Sequence, residues 1–334
     1  MNSSEQIGYD FLISLLAISL VILCLYLILS CRKKPVETEE TLTVKAPAQA
    51  YPLTDIDAAT DGFNPRRVIG RGRLGTVYAG ILKGGEPVSV KRIHPSLVLT
   101  HVGFGFPSIL KTLSSASHPN VVPILGFSQA PGERIIVTEH VGSVSLDYYL
   151  HSNNEASASL LGWSRRMRIA AGAARGVSYL HESNIIHGCV KTSNVLLDAR
   201  FCPKLCDYGL SFLGQRERRG LLGFVDDEYW VKGGNVACKE SDVFGLGVVL
   251  LEILTGRRAE EGLLVKWVLP LIRERRFSEV LDYRISMPCD SSAIVRLAKV
   301  ASACVGNSRK SRPTIAQVAS ILSSLEAEIC DNFV

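Results

Sequence analysis

The sequence predicts an α+β fold carried behind a single membrane-spanning helix, and three observations predict it. Phe11 to Ser30 is an uncharged run of twenty residues followed at once by Arg32-Lys33-Lys34. Between residues 68 and 91, β-branched runs flank a glycine-rich turn, and Val88-Ser89-Val90-Lys91 alternates with the period of a strand. Trp163 to His181 then places Ile169, Ala173, Val177 and Leu180 on one helical face. With 334 residues, 47% hydrophobic and 21% charged, the chain can bury a large core. One domain plus an anchor accounts for that length.

The anchor comes first. Residues 1–10 are polar, and 11–30 at about 1.5 Å per helical residue span a hydrocarbon core of roughly 30 Å. The cationic cluster after it is the expected cytoplasmic flank, which places the N-terminus outside. A cleaved signal peptide needs a basic leading segment, and none precedes Phe11. Residues 1–10 leave no room for a ligand-binding ectodomain, so an outside signal would have to come through a partner. Cys24 and Cys31 are candidate palmitoylation sites, with free thiols as the default.

Composition narrows the function classes. A formal charge of +5, without a long basic run or interleaved aromatic stripe, argues against a nucleic-acid surface. The nine cysteines are scattered with no C-x-x-C pair, so neither a disulfide framework nor a zinc site is indicated. Residues 31–62 read as a polar linker broken by Pro35 and Pro47. Within it, Leu53 to Phe63 has helical spacing with Gly62 as a stop.

Gly70, Gly72 and Gly75 form G-x-G-x-x-G, and Val77 and Tyr78 continue it as strand. A dinucleotide site would open a helix there instead. Glycines allow a backbone to lie over phosphates without a Cβ in the way. Lys91 ends the next strand. Ile135 to Val141 reads as a buried strand that carries Thr138 and Glu139 into a following hinge. Ile185 to Asp198 then holds His187, Lys191 and Asn194 in a loop ahead of an apolar strand, and Asp207 follows in Cys206-Asp207-Tyr208-Gly209.

These segments, in this order, resemble the plant receptor-like Ser/Thr protein kinases over residues 51 to 326. The resemblance implies a two-lobed protein kinase fold, with a small antiparallel sheet lobe and a larger helical lobe. It implies boundaries at 1–10, 11–30, 31–62, 63–326 and a tail 327–334. It further implies an ATP site formed by Gly70, Gly72, Gly75, Val77, Lys91, Thr138 and Glu139, with Asn194 and Asp207 as Mg²⁺ ligands. Glu228 and Arg312 match a structural ion pair, so that Glu228→Ala is expected to destabilise the helical lobe, and Asp242 matches the acceptor of backbone hydrogen bonds from the catalytic loop. Plasma-membrane anchoring, a cytoplasmic kinase-like domain, and active receptor-like kinases or co-receptors as partners follow from the same resemblance.

The chain departs from that pattern where chemistry is done. The family's His-Arg-Asp reads His187-Gly188-Cys189, which keeps the frame and removes the base; His187 and Lys191 remain as supporting residues. The glutamate expected to pair with Lys91 falls on Ile109, and no acid occurs between Glu86 and Glu133 to replace it. Pro107 and the glycines at 103 and 105 predict a poor helix start there. The substrate threonine has become Leu221, Ala-Pro has become Asp226-Asp227, and Phe212 to Val225 contains no Ser, Thr or Tyr. Losing a general base typically removes about 10²–10⁴ in rate. The expectation is a pseudokinase that binds, with a weakly active Ser/Thr kinase as the alternative.

Overall fold

The computed structural model describes residues 17–21, 23, 47–101, 105–142, 144–152, 160–214, 221–231, 237–259, 262–286 and 291–331. Most of the expected membrane segment 11–30, and Cys24 and Cys31 with it, lies outside these. Among the described residues no helix is long and apolar enough to cross a membrane. The compact body begins at Ala46.

Its first part is a six-stranded sheet in the order β1-β5-β6-β4-β3-β2. The strands are β1 (Gln49–Ala50), β2 (Val68–Arg71), β3 (Gly75–Ile81), β4 (Pro87–Ile93), β5 (Ile124–Ala130) and β6 (Glu133–Glu139). All pairings are antiparallel except β1 with β5. The period-2 alternation of β4 and β6 sorts the two faces. Val88, Val90, Ile135 and Val137 point outward and bury Ile56 of α1 (Leu53–Thr60), while Ile93 and Ile136 point toward the main core. Residues 47–62, part of the segment 31–62 assigned to the linker on sequence, therefore fold onto the sheet, and Ala48 is anchored by its N–H donating to Ser114 Oγ at 2.9 Å.

After β4 come two short helices, α2 (Pro95–His101) and α3 (Phe106–Leu113). The poor helix start expected at Pro107 is not what forms. Pro107 sits in the first turn of α3, where its missing N–H has no intrahelical partner to lose, and Gly105 supplies a left-handed cap at φ 91°. Phe106, Leu110 and Leu113 bury one face of that helix.

The second part is helical. It comprises α4 (Leu146–His151), α5 (Trp163–Glu182), α6 (Lys239–Thr255), α7 (Leu263–Arg273), α8 (Ser292–Cys304) and α9 (Ile315–Asp331), besides several single turns. The face of α5 read from the sequence is the buried one: Ile169, Ala173, Val177 and Leu180 are fully enclosed. A two-stranded ribbon, β7 (Val195–Leu197) with β8 (Pro203–Leu205), lies beside it.

The expected Glu228–Arg312 ion pair is not formed. Arg312 instead pairs with Asp226, both side chains almost fully enclosed, and Arg309 binds the same carboxylate through Nη2 at 2.8 Å. Burial pushes the Asp226 carboxyl upward, but the two guanidiniums outweigh this and hold it below the usual carboxylate range. The reason is placement. Asp226 precedes the turn Glu228–Val231 and caps it, accepting from Tyr229 N at 2.8 Å, so its carboxylate faces inward. Glu228, two residues on, stays 44% exposed and, among the described residues, meets Arg309, whose backbone N–H donates to it at 3.1 Å.

Asp226→Ala is accordingly predicted to lower the unfolding free energy by about 3–5 kcal/mol, because it strands a buried guanidinium. Glu228→Ala is predicted to cost less than about 1 kcal/mol. Denaturant unfolding of the two variants beside the unaltered chain checks the order, and equal losses would contradict it.

Candidate functional site

A cavity of about 330 Å³ opens between the sheet and the helical part. The same alternation that sends Val88 and Val90 outward sends Ser89 and Lys91 of β4 into it, and Ile136 and Thr138 of β6 join them. The β2–β3 turn covers it with Gly70, Gly72 and Leu74. From below come Cys189, Lys191, Asn194 and Asp207.

Most of the expected ligand-binding residues thus meet in one place, with two exceptions. Glu139 does not line the cavity; its carboxylate is half exposed and pairs with Lys204 at 3.3 Å. Gly75 does not line it either. A Cβ on Gly75 would lie 2.1 Å from Arg92 O, so glycine is required there by the close approach of β3 to β4. A Cβ on Gly72 would meet nothing within 4 Å.

The turn itself is held down. His94 N donates to Leu74 O at 2.9 Å and His94 Nε2 donates to Gly72 O at 3.1 Å, while Leu74 is 6% exposed among core residues. Sequence reading missed His94 and Leu74, since neither stands in a recognisable motif. It also passed over Ser89, whose hydroxyl lies 3.0 Å from His140 Nδ1.

Lys91 forms an ion pair with Asp207. With Ile109 at the position where an acid was expected, Asp207 supplies the nearby carboxylate. Burial pushes the Asp207 carboxyl up, and attraction to Lys91 more than cancels this, leaving it below the usual range. Arg71, Arg73, Lys91 and Lys191 against the single carboxylate of Asp207 make the cavity electropositive.

The loop beneath is held by Asp242. Its carboxylate accepts from His187 N and Gly188 N, each at 2.7 Å, and from His181 Nε2 at 2.9 Å. Asn194 Nδ2 donates to Cys189 O at 2.9 Å, and Cys206 N donates to Asn194 O at 2.9 Å, so the frame expected from the sequence is built. His187 is fully buried; it accepts weakly from Cys189 N through Nδ1 and its Nε2 makes no hydrogen bond. Burial lowers its pKa, so the ring is neutral.

Cys189 is 8% exposed and packs with Leu221, Val225 and Tyr229 in an apolar cluster of its own. Burial raises its thiol above the ordinary value, so it offers no anion at neutral pH. Burial likewise pushes the Cys206 thiol up to about 12.

Residues 63–322 match the protein tyrosine and serine/threonine kinase family. The chain belongs to that family. Among its relatives, phytosulfokine receptor 1 of Arabidopsis thaliana is 35% identical over 288 residues, covering 81% of this chain and 28% of the relative. The serine/threonine-protein kinase-like protein CCR2 of the same plant is 33% identical, covering 80% and 33%. The chain thus spans about a third of the length of these two relatives. In the solved structures, the pseudokinase domain of BIR2, an immune regulator of the RLK/Pelle family, superposes with a TM-score of 0.70 at 32% identity, over 83% of this chain and 86% of that one.

Within a protein kinase fold the arrangement divides in two. The nucleotide side keeps cationic and polar groups converging on one cavity. On the transfer side, the positions of the base and the substrate threonine are a thiol and a leucine that belong to one apolar cluster with Val225 and Tyr229, the thiol at the edge of the cavity. Among the described residues no group of three His, Cys, Asp or Glu side chains could hold a metal alone. Asn194 and Asp207 are the oxygen donors that a phosphate-borne Mg²⁺ would meet, and such an ion keeps its remaining positions for phosphate and water.

Lys91→Ala is predicted to cost about 1–3 kcal/mol at neutral pH by leaving the partly buried Asp207 carboxylate without its ion-pair partner. Because the folded pKa of Asp207 is depressed, its contribution is full above about pH 4 and is lost as pH falls through the folded value. The gap between the two chains should therefore close under acid. Unfolding midpoints from pH 7 downward test this, and a gap that widens in acid would contradict it.

Proposed function

We propose that this chain is a membrane-anchored pseudokinase of the plant receptor-like kinase group, acting in signalling as a scaffold or allosteric partner of active receptor-like kinases or co-receptors. One observation carries the reading: Cys189, at the position of the base, and Leu221, at that of the substrate threonine, belong to one buried apolar cluster with Val225 and Tyr229. Restoring a carboxylate alone would bury it in that cluster. The anchor at residues 11–30, with its cationic flank, supports a plasma-membrane location and a cytoplasmic kinase-like domain.

ATP is proposed as a structural ligand that stabilises the fold by mass action rather than as a phosphate donor. The electropositive cavity and its size support this. Asn194 and Asp207 would hold an accompanying Mg²⁺. A second reading, a weakly active Ser/Thr kinase, is favoured by Lys91, Lys191, Asn194 and Asp207 lining one cavity, because phosphoryl transfer rests largely on positioning and electrostatics.

The deciding experiment is γ-phosphate transfer by the purified chain with Mg²⁺ or Mn²⁺, beside Lys91→Ala and Asp207→Asn. The expected outcome is transfer no higher than in those two variants. Transfer that both variants abolish would replace the pseudokinase reading by the enzymatic one. Cys189→Asp is expected to leave transfer at background and to lower stability by about 1–3 kcal/mol, the range for burying a polar group without a partner.

A further inference from the structure

A second and larger cavity, about 680 Å³, lies in the helical part and shares no lining residue with the first. Leu150 and His151 at the end of α4 and Leu264 of α7 contribute buried side chains to it. Arg284 fastens the wall by donating to Leu150 O at 2.8 Å and to Gly256 O at 3.3 Å while paired with Asp282. The cavity is therefore built from packed elements.

Its mouth is unlike an ordinary surface. Tyr283 is 92% exposed and Leu263 60%, which puts two large apolar side chains at one opening. The Arg257 guanidinium lies 4.3 Å from the centroid of the Trp267 ring and, among the described residues, makes no ion pair. Arg258 stands beside it with only a half-exposed contact to Asp147 at 3.2 Å. The wall holds a buried ring nitrogen that makes no hydrogen bond. His151 is 3% exposed, its Nδ1 lies 3.1 Å from Asp147, and its Nε2 makes no hydrogen bond, the nearest carboxylate oxygen being that of Glu252 at 3.9 Å.

We propose that this cavity binds a phosphorylated peptide segment of a partner protein. The charge complement selects the ligand: two neighbouring guanidiniums match a group that brings close to two negative charges and three acceptor oxygens, and a carboxylate would leave donors unused. The apolar rim selects a peptide over a free ion, because Tyr283, Leu263 and the Trp267 ring offer side-chain-sized contacts of the kind that anchor protein interfaces. The site goes beyond the binding-module reading and supplies it with a surface, resting on that reading only for the kind of partner.

The test uses the full chain and three acetylated pentapeptides, identical but for a central phosphothreonine, threonine or glutamate flanked by leucines. Binding is followed by calorimetry and by the fluorescence of Trp267, with Trp267→Phe as the assignment control. The phosphothreonine peptide is expected to bind at least tenfold more tightly than either twin. Joint Arg257→Ala and Arg258→Ala replacement, at two exposed positions, is expected to remove that preference with the unfolding midpoint unchanged. Equal binding of the three peptides, binding of none, or a preference that survives the double replacement overturns the proposal. A glutamate peptide as tight as the phosphorylated one also overturns it, in favour of a simple acidic segment. γ-Phosphate transfer is scored separately; its appearance would end the binding-module reading and leave the contrast among the peptides as measured.

Discussion

The structure hangs on the carboxylate of Asp242. It sits in the first turn of α6, where the helix dipole favours negative charge, and it is almost fully enclosed. Three donors converge on it, two of them backbone N–H groups of the loop that carries His187, Gly188 and Cys189. Buried N–H groups must find acceptors, and for His187 and Gly188 the Asp242 carboxylate is that acceptor. Once His187 and Gly188 are fixed, Asn194 closes the loop on Cys189 O, Cys206 is placed by Asn194 O, and Asp207 follows into the cavity beneath Lys91. The loop that carries Cys189 at the position of the base is thereby held from both ends.

Gly188 shows that the departures from the family pattern depend on one another. Its φ is +80°, a conformation costly for any side chain with a Cβ, and a Cβ there would lie 2.8 Å from Ser211. Arginine could not return at this position without moving Ser211 and the backbone together. Cys189 beside it is tied to Leu221 through the apolar cluster.

Much of this was legible in the sequence, because short-period patterns report directly on backbone geometry. The alternation in Val88 to Lys91 gave the strand and the side to which Lys91 points, and the spacing in α5 gave its buried face. The loop frame through His187, Asn194 and Asp242 was readable from motif order. What escaped was decided by tertiary placement. Residues 47–62 read as linker by composition, yet Ile56, with Tyr51, Leu53 and Phe63 around it, seats α1 on the outer face of the sheet. Glu228 was preferred to Asp226 as the partner of Arg312 because motif alignment counts positions and not directions, and the turn at Glu228 aims the two carboxylates differently. His94 and the arginines around Trp267 belong to no motif and become visible only when the chain is folded.

Retention of the nucleotide-side residues has an explanation that needs no catalysis. Lys91 neutralises a carboxylate that burial would otherwise penalise, Asn194 satisfies the Cys189 carbonyl and positions Cys206, and Gly75 is the only residue that β3 can place against Arg92 O. Each has a structural duty that would be enforced by stability alone. Cys189, Leu221 and Ile109 stand at positions whose family residues would serve chemistry, and these are the positions where apolar packing has taken over. The division between what is kept and what is lost follows whether a side chain also holds the fold. Residues that line the cavity and also hold the fold are therefore weak evidence for phosphoryl transfer, because stability alone would keep them.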